Sequence, residues 1–327
     1  MRTYKLSKTN NLVVSNMYRA KNKLAFFAMH QIVNKIPEID IEFHILWHDS
    51  NYRDKWSDRI DNYGFNLVSY TIDDMHEYCL RMGIVQKKID EFNKFFSIYF
   101  VIMAHYLRYN NITDYYLIYD DDIILNDEIG ELKNCLINKI PVLISEPMNP
   151  SCDKILTEKL VNLYKPVEYV IRLYESRNPN LMGFNAGFQG MSLEMYDDFL
   201  TKDKFSFLIN MFSYEGIHDA DGNEMWGIER SKFDTQQQSF FSTMNIIKSS
   251  KKPHILNPDE YFVCPNWGTH PKYGDIDTGN KYEGWDINMK SKVIHFIGHT
   301  NDPSGYAKGK SDVFMNQVNK YLVEVLV

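Results

Sequence analysis

Residues 115–125 read Tyr-Tyr-Leu-Ile-Tyr-Asp-Asp-Asp-Ile-Ile-Leu, three consecutive carboxylates inside an apolar, β-branched and aromatic run. The run is too short for a typical helix and suits an interior parallel strand over 115–120. Carboxylates buried there are costly unless a cation or hydrogen-bond donors compensate them. Asp120, Asp121 and Asp122 are therefore expected at the strand's carboxyl end, where open α/β sheets collect their ligands. Successive strand residues point to opposite faces, so Asp120 and Asp122 would aim one way and Asp121 the other. Two carboxylates on one side suit a hard divalent cation that also holds a diphosphate. An acidic turn after a strand is the alternative.

Working outward, residues 11–15 read as a first strand and 19–35 as a helix with Leu24, Phe27, Ala28 and Ile32 on one face. Residues 41–47 and 66–71 read as two further strands. Residues 87–109 carry Ile89, Phe92, Phe96, Tyr99, Met103 and Tyr106 at spacings of three and four. That periodicity predicts one long amphipathic helix feeding the acidic strand. Strands alternating with helices imply a largely parallel sheet with crossover connections. Downstream, 141–145 is a short apolar run, while 213–232 and 262–286 read as long loops. Ser311 or Asp312 could cap a final helix bearing Phe314, Val318, Tyr321, Leu322 and Val325. No internal repeat or linker is visible, and one compact domain over 1–327 is the expectation.

The 327 residues are 44% hydrophobic and 14% aromatic, enough for a sizeable core. A formal net charge of −7 argues against a broadly basic nucleic-acid-binding surface. Local clusters at Lys248, Lys251 and Lys252, and at Lys308 and Lys310, fit solvated loops or a phosphate track. Cys79, Cys135, Cys152 and Cys264 are scattered without C-x-x-C spacing, so no zinc site is implied. The N-terminal residues show no secretory signal, and no window approaches about 18 apolar residues. A cytoplasmic protein without a membrane span is expected.

Four segments recur in a telling order: Ala104-His105-Tyr106-Leu107-Arg108-Tyr109 before Tyr119-Asp120-Asp121-Asp122; Gly183-Phe184-Asn185-Ala186-Gly187-Phe188-Gln189-Gly190; Asp234-Thr235-Gln236-Gln237-Gln238-Ser239-Phe240-Phe241; and Val293-Ile294-His295-Phe296-Ile297-Gly298. Together they resemble the GT-A glycosyltransferases, most closely the retaining, glycogenin-like branch known as glycosyltransferase family 8. The resemblance spans roughly residues 95–300. It implies a Rossmann-like α/β fold with a mixed, mostly parallel sheet flanked by helices. Residues 1–125 would form the nucleotide-sugar-binding half, and 126–327 the acceptor-binding half with the returning metal-ligand strand.

The resemblance also assigns roles. Asp120 and Asp122 would hold Mn²⁺ or Mg²⁺, with His295 as third ligand; imidazole beside two carboxylates suits Mn²⁺ better. Arg108 would contact the diphosphate, or else form an ion pair at its helix end. Asn185, Ala186 and Gly187 would line the sugar pocket. Asp234, Gln236 and Gln237 would sit beside the anomeric carbon with Asn185 as the catalytic group, although three adjacent glutamines cannot all face one site. Ser15, Asn16 and Tyr18 would follow the first strand and bind base and ribose, or form an ordinary strand–helix turn. Asp121, Gly298 and Lys308 complete the donor contacts. Two positions depart from the family: Asn301 stands where it has a phosphate-binding Lys, and Thr235-Gln236-Gln237 where it has an acid beside Gln.

The expected activity is transfer of a hexosyl or pentosyl group from a nucleotide sugar, most simply a UDP-sugar, to a hydroxyl acceptor with retention. An inverting GT-A enzyme would instead need a carboxylate base, for which Asp234, Asp219, Asp221 or Glu224 are candidates. A nucleotidyltransferase or phosphotransferase could use the same Asp pair, but residues 13–24 contain no Gly for a phosphate loop. A sugar-binding relative without activity is the third class. Trp267, Trp285 and the aromatic 213–232 stretch could stack on sugar rings. They favour a saccharide or glycoconjugate acceptor; a protein or modified DNA is possible, the latter unsupported by the net charge.

Overall fold

The computed structural model describes residues 11–18, 22–48, 55–92, 98–126, 129–146, 154–164, 183–184, 187–212, 231–256, 261–263, 269–270, 274–275, 291–296 and 308–326. Strand β1 (Leu12–Tyr18) leads to α1 (Asn22–Lys35), β2 (Ile41–Trp47), α2 (Ser57–Asn62), β3 (Asn66–Thr71), α3 (Ile72–Arg81), α4 (Gln86–Phe92), α5 (Ile98–Tyr109), β4 (Tyr115–Tyr119) and β5 (Ile123–Leu125). Next come α6 (Gly130–Ile137), β6 (Val142–Glu146), α7 (Lys154–Leu163), β7 (Gly183–Phe184), β8 (Phe188–Ser192), a 3₁₀ segment (Leu193–Phe199), α8 (Lys202–Met211) and α9 (Ser231–Lys248). The chain continues through β9 (His254–Leu256), β10 (Tyr261–Val263), β11 (Thr269–His270), β12 (Gly274–Asp275), β13 (Val293–His295) and α10 (Lys308–Leu326).

The main sheet has the order β3-β2-β1-β4-β8-β6-β7, with β9 joined to β6. Its first four strands are parallel, and β8 is antiparallel to both β4 and β6. This is the expected α/β class, a mixed and mostly parallel sheet flanked by helices. Every residue of β2 and β4 is buried, as parallel strands covered on both faces should be. Alternation along β1 divides the core: Leu12, Val14 and Tyr18 pack with α1, α6 and α10, whereas Val13 and Met17 pack with α3, α5 and α9. A second sheet, β10-β13-β5, adjoins the first at the end of β4.

Several expectations are corrected. Pairing of β1 with β2 runs on to Tyr18 opposite Trp47, so Ser15, Asn16 and Tyr18 lie within the strand rather than after it. The helix expected over 87–109 is described as α4 and α5, with 93–97 outside the described residues. Helix α3 was not anticipated, although Thr71 and Asp74 form its capping box. Ser311 and Asp312 lie inside α10, which begins at Lys308, so they occupy its first turns rather than its cap. Strand β4 stops at Tyr119, and Asp121 and Asp122 form a turn into β5.

Candidate metal centre

The acidic turn is held from three sides. The Asp120 amide donates to the Gly187 carbonyl at 2.8 Å, which ties the turn to the start of β8. Asn16 Nδ2 donates to Asp120 Oδ1 at 2.9 Å and also to the Tyr119 carbonyl. The Tyr18 hydroxyl donates to that same carbonyl at 3.2 Å. Burial, and then the neighbouring Asp121 carboxylate, push the Tyr18 phenol well above its ordinary pKa, so it stays a donor.

His295 arrives from more than half the chain's length away. It ends β13, which is antiparallel to β5 with His295 opposite Ile123. The Phe296 amide then donates to the Asp122 carbonyl at 3.0 Å. That register sets the imidazole beside the turn. His295 Nε2 lies 3.1 Å from Asp122 Oδ1 and 3.8 Å from Asp120 Oδ2. Ligand-type atoms of all three residues lie within 4.8 Å of one another. The convergence does not follow from strand alternation, since the aspartates sit on a turn; the turn itself folds both carboxylates toward the imidazole.

Three observations fit a divalent cation here. Asp122 Oδ1 is buried and has no hydrogen-bond partner; its proximity to His295 Nε2 is not an aligned hydrogen bond. A buried carboxylate oxygen left so is costly unless a positive charge reaches it. Side-chain exposure rises from 5% at His295 through 13% at Asp122 to 34% at Asp120, so the cluster opens toward Asp120. Gly187 makes the third: a Cβ there would lie 2.8 Å from Asp120 Oδ2 and 2.9 Å from His295 Nδ1, so only glycine leaves the ligands their space. Two carboxylates and one imidazole are a donor set suited to Mn²⁺ or Mg²⁺.

Other expected site residues are placed differently. Arg108 Nε bonds Asp197 at 2.6 Å, and Arg108 also pairs with Asp114. Asp114 precedes β4, so Arg108 sits at the opposite end of that strand from Asp120. Both carboxylates hold the guanidinium in the helix-end ion pair that was the alternative to a diphosphate contact. Ser15 is buried on the sheet face that Val13 and Met17 occupy, away from Asn16 and Tyr18. The Asn16 amide is engaged with Asp120 Oδ1 and the Tyr119 carbonyl. Asp121 lies outside the three-residue cluster.

Helix α9 carries Asp234, Gln236 and Gln237. Asn245 Oδ1 accepts from the Ser192 amide at 3.0 Å, and Phe241 packs edge-on to Tyr116. Gln236 and Gln237 are buried. Gln237 Nε2 and both polar atoms of Gln189 lack hydrogen-bond partners. Asn185, Ala186 and Gly298 lie outside the described residues, as do the side chains of Asp234 and Lys308.

One buried polar residue beside the acidic turn escaped the sequence reading. Gln31 of α1 is buried against β5, and its only signal is a polar side chain amid Phe26, Phe27, Ala28, Met29 and Ile32. Among the described residues no helix is long and apolar enough to cross a membrane.

No protein-family model matches the chain, and no curated protein does. Solved structures similar to it include galactosyltransferase LgtC in complex with donor and acceptor sugar analogs, at 14% identity and TM-score 0.43, over 94% of this chain and 96% of that one. The bifunctional glycosyltransferase WbbM, in its apo form, matches at 12% identity and TM-score 0.43, over 97% of this chain and 50% of that one. Core-mannan synthase A (CmsA/Ktr4) from Aspergillus fumigatus, in its Mn/GDP form, matches at 10% identity and TM-score 0.39, over 76% and 73%. Likenesses at this level assign no function to the chain.

Proposed function

We propose that the chain is a divalent-cation-dependent glycosyltransferase of the GT-A type. It would move a hexosyl or pentosyl group from a nucleotide sugar, expected to be a UDP-sugar, to a hydroxyl of a saccharide or glycoconjugate acceptor, with retention. The observation that carries this reading is the meeting of Asp120, Asp122 and His295 over Gly187 at the carboxyl end of β4. The four ordered segments supply the family resemblance. Residues 1–125 would then hold the nucleotide sugar, and 126–327 the acceptor and the returning ligand.

A bound Mn²⁺ or Mg²⁺ would supply Lewis-acid stabilisation of the departing diphosphate. The chain's own residues do the rest. Asp120, Asp122 and His295 would hold the ion. Asn16 fixes Asp120 Oδ1, leaving Oδ2 turned to the site. Gln236, Gln237 and Asp234, at the amino-terminal end of α9, would border the anomeric carbon together with Asn185. In a retaining transfer the departing phosphate oxygen takes the acceptor's proton, so no side-chain base is required on the opposite face.

The test is a nucleotide-sugar screen by differential scanning fluorimetry with and without Mn²⁺. The expected result is stabilisation by a uridine nucleotide sugar that chelator abolishes. If no nucleotide sugar stabilises the Mn²⁺-supplemented protein, the reading is wrong. Guanosine or cytidine donors binding where uridine does not would overturn the donor choice alone.

A further inference from the structure

Strand β5 pairs through one edge with β13, using the Ile124 backbone together with the Asp122 carbonyl and the Asn126 amide. Its other edge presents the Ile123 carbonyl and the Leu125 amide, two residues apart and facing the same way. Among the described residues no strand covers that edge in the sheet order β10-β13-β5. The Gln31 side chain covers it instead. Its Oε1 accepts from the Leu125 amide at 2.8 Å, and its Nε2 donates to the Ile123 carbonyl at 3.1 Å. The same Nε2 donates to the Tyr119 hydroxyl.

Tyr119 is the residue before the three aspartates and Ile123 the residue after them. One amide on α1 therefore grips both flanks of the turn. The chemistry is selective, because an amide can accept from Leu125 and donate to Ile123 at once. A carboxylate has no proton for Ile123, and an asparagine is one methylene shorter. Gln31 is 2% exposed, so water does not replace it readily.

We propose that Gln31 is a positioning residue for the metal centre. By spanning Tyr119 and Ile123 it fixes the separation of the Asp120 and Asp122 carboxylates, and so sets the affinity for a divalent cation. The inference rests on the metal reading above. Gln31 touches neither ion nor substrate; it acts through the turn, as outer-shell partners of metal ligands do.

The experiment is isothermal titration of the full chain with MnCl₂, without donor, for wild type, Gln31→Met and Met29→Ala. Methionine keeps the length of Gln31 but neither donates to nor accepts from the backbone. Met29 is buried on the same helix and makes none of these bonds, so its truncation controls for destabilisation of α1. Gln31→Met is expected to weaken Mn²⁺ binding at least about tenfold, with far-UV circular dichroism retained. Met29→Ala is expected to lower Tm while leaving the Kd within about twofold, since its thioether makes none of the hydrogen bonds to the turn. Equal Kd for wild type and Gln31→Met overturns the role of Gln31, as does equal weakening by Met29→Ala. Absence of Mn²⁺ binding by the wild type overturns the metal reading itself. If Gln31→Met fails to fold, Gln31→Glu serves instead: it retains acceptance from Leu125, loses donation to Ile123, and is expected to weaken binding likewise.

Discussion

Replacement of Gly187 by alanine tests the centre at its tightest point. The backbone there needs no left-handed conformation, so the whole effect is steric. The new methyl would meet Asp120 Oδ2 at 2.8 Å and His295 Nδ1 at 2.9 Å, and it would stand closer still to Cε1, whereas ordinary contact begins at 3.4 Å. The imidazole must retreat by about 1 Å to restore van der Waals distance. Metal–ligand distances tolerate only about 0.2 Å, so His295 is lost as a ligand. Outer-shell changes alone cost about 10–100-fold in affinity, and displacing a ligand should cost at least about 100-fold. Overpacking a filled site also destabilises by about 1–3 kcal/mol. The assay is Mn²⁺ titration followed by electron paramagnetic resonance, with Tm read in parallel in chelator. Wild-type Mn²⁺ affinity in a folded Gly187→Ala protein would refute the reasoning, because the crowding follows from the same placement that defines the centre.

Further outcomes are expected. Asp122→Ala should keep the fold, remove donor-dependent stabilisation and abolish turnover; full activity in this variant, or of the wild type in EDTA, would sink the metal reading. His105, bonded to the Tyr78 hydroxyl at 2.7 Å and the Phe199 carbonyl at 2.9 Å, has its pKa lowered by burial from 6.5 to about 4. The unfolded chain therefore gains a proton on acidification before the folded one does, and stability should fall by up to about 3 kcal/mol as pH drops from 6.5 to 4. Urea unfolding of His105→Gln should show a shallower pH dependence over that window, and an unchanged slope would contradict the assignment. Gln189→Met should stabilise by about 1 kcal/mol or more, because both amide atoms are buried without partners; a lower Tm would show that the amide is satisfied. For a gluco-configured α-linked donor, proton NMR of the product should show an axial (α) linkage, and a β product would transfer the catalytic role to a carboxylate base such as Asp234.

What could be read from the chain follows from the range of the forces involved. β2 and β3 match their expected ranges because the pattern of apolar and β-branched side chains is local. The aspartates could be named because carboxylates are rare inside such a run. Their geometry was legible only in part. Alternation predicts that Asp120 and Asp122 share a face, but β4 ends at Tyr119 and the turn decides where they point. His295 could be paired with them only through the family resemblance, since nothing near residue 295 encodes its register against Ile123. For Arg108 the sequence left a diphosphate contact and a helix-end ion pair open, because it cannot show that Asp114 and Asp197 both reach the guanidinium. Gln31 was overlooked because one amide among apolar residues has no period, and its partners are backbone atoms whose position depends on the tertiary fold.

The centre lies where two sheets meet, and this placement links ion binding to chain topology. β4 brings the aspartates from the main sheet, while β5 and β13 bring the histidine from the small one. β5 is only three residues long and would hold its place weakly by pairing alone. Phe296, next after His295, packs on Phe314 of α10 with ring centroids 5.1 Å apart. Phe314 in turn packs against Phe27 of α1, the helix that carries Gln31. The histidine is thus tied through α10, and the flanks of the acidic turn through Gln31, with α1 common to both routes. A cation bridging the two sets would stabilise the folded chain by RT ln(1 + [L]/Kd). That gain would oppose separation of β13 and α10 from the main sheet, so those two elements, rather than β1 to β3, should show the largest metal-dependent protection from hydrogen exchange.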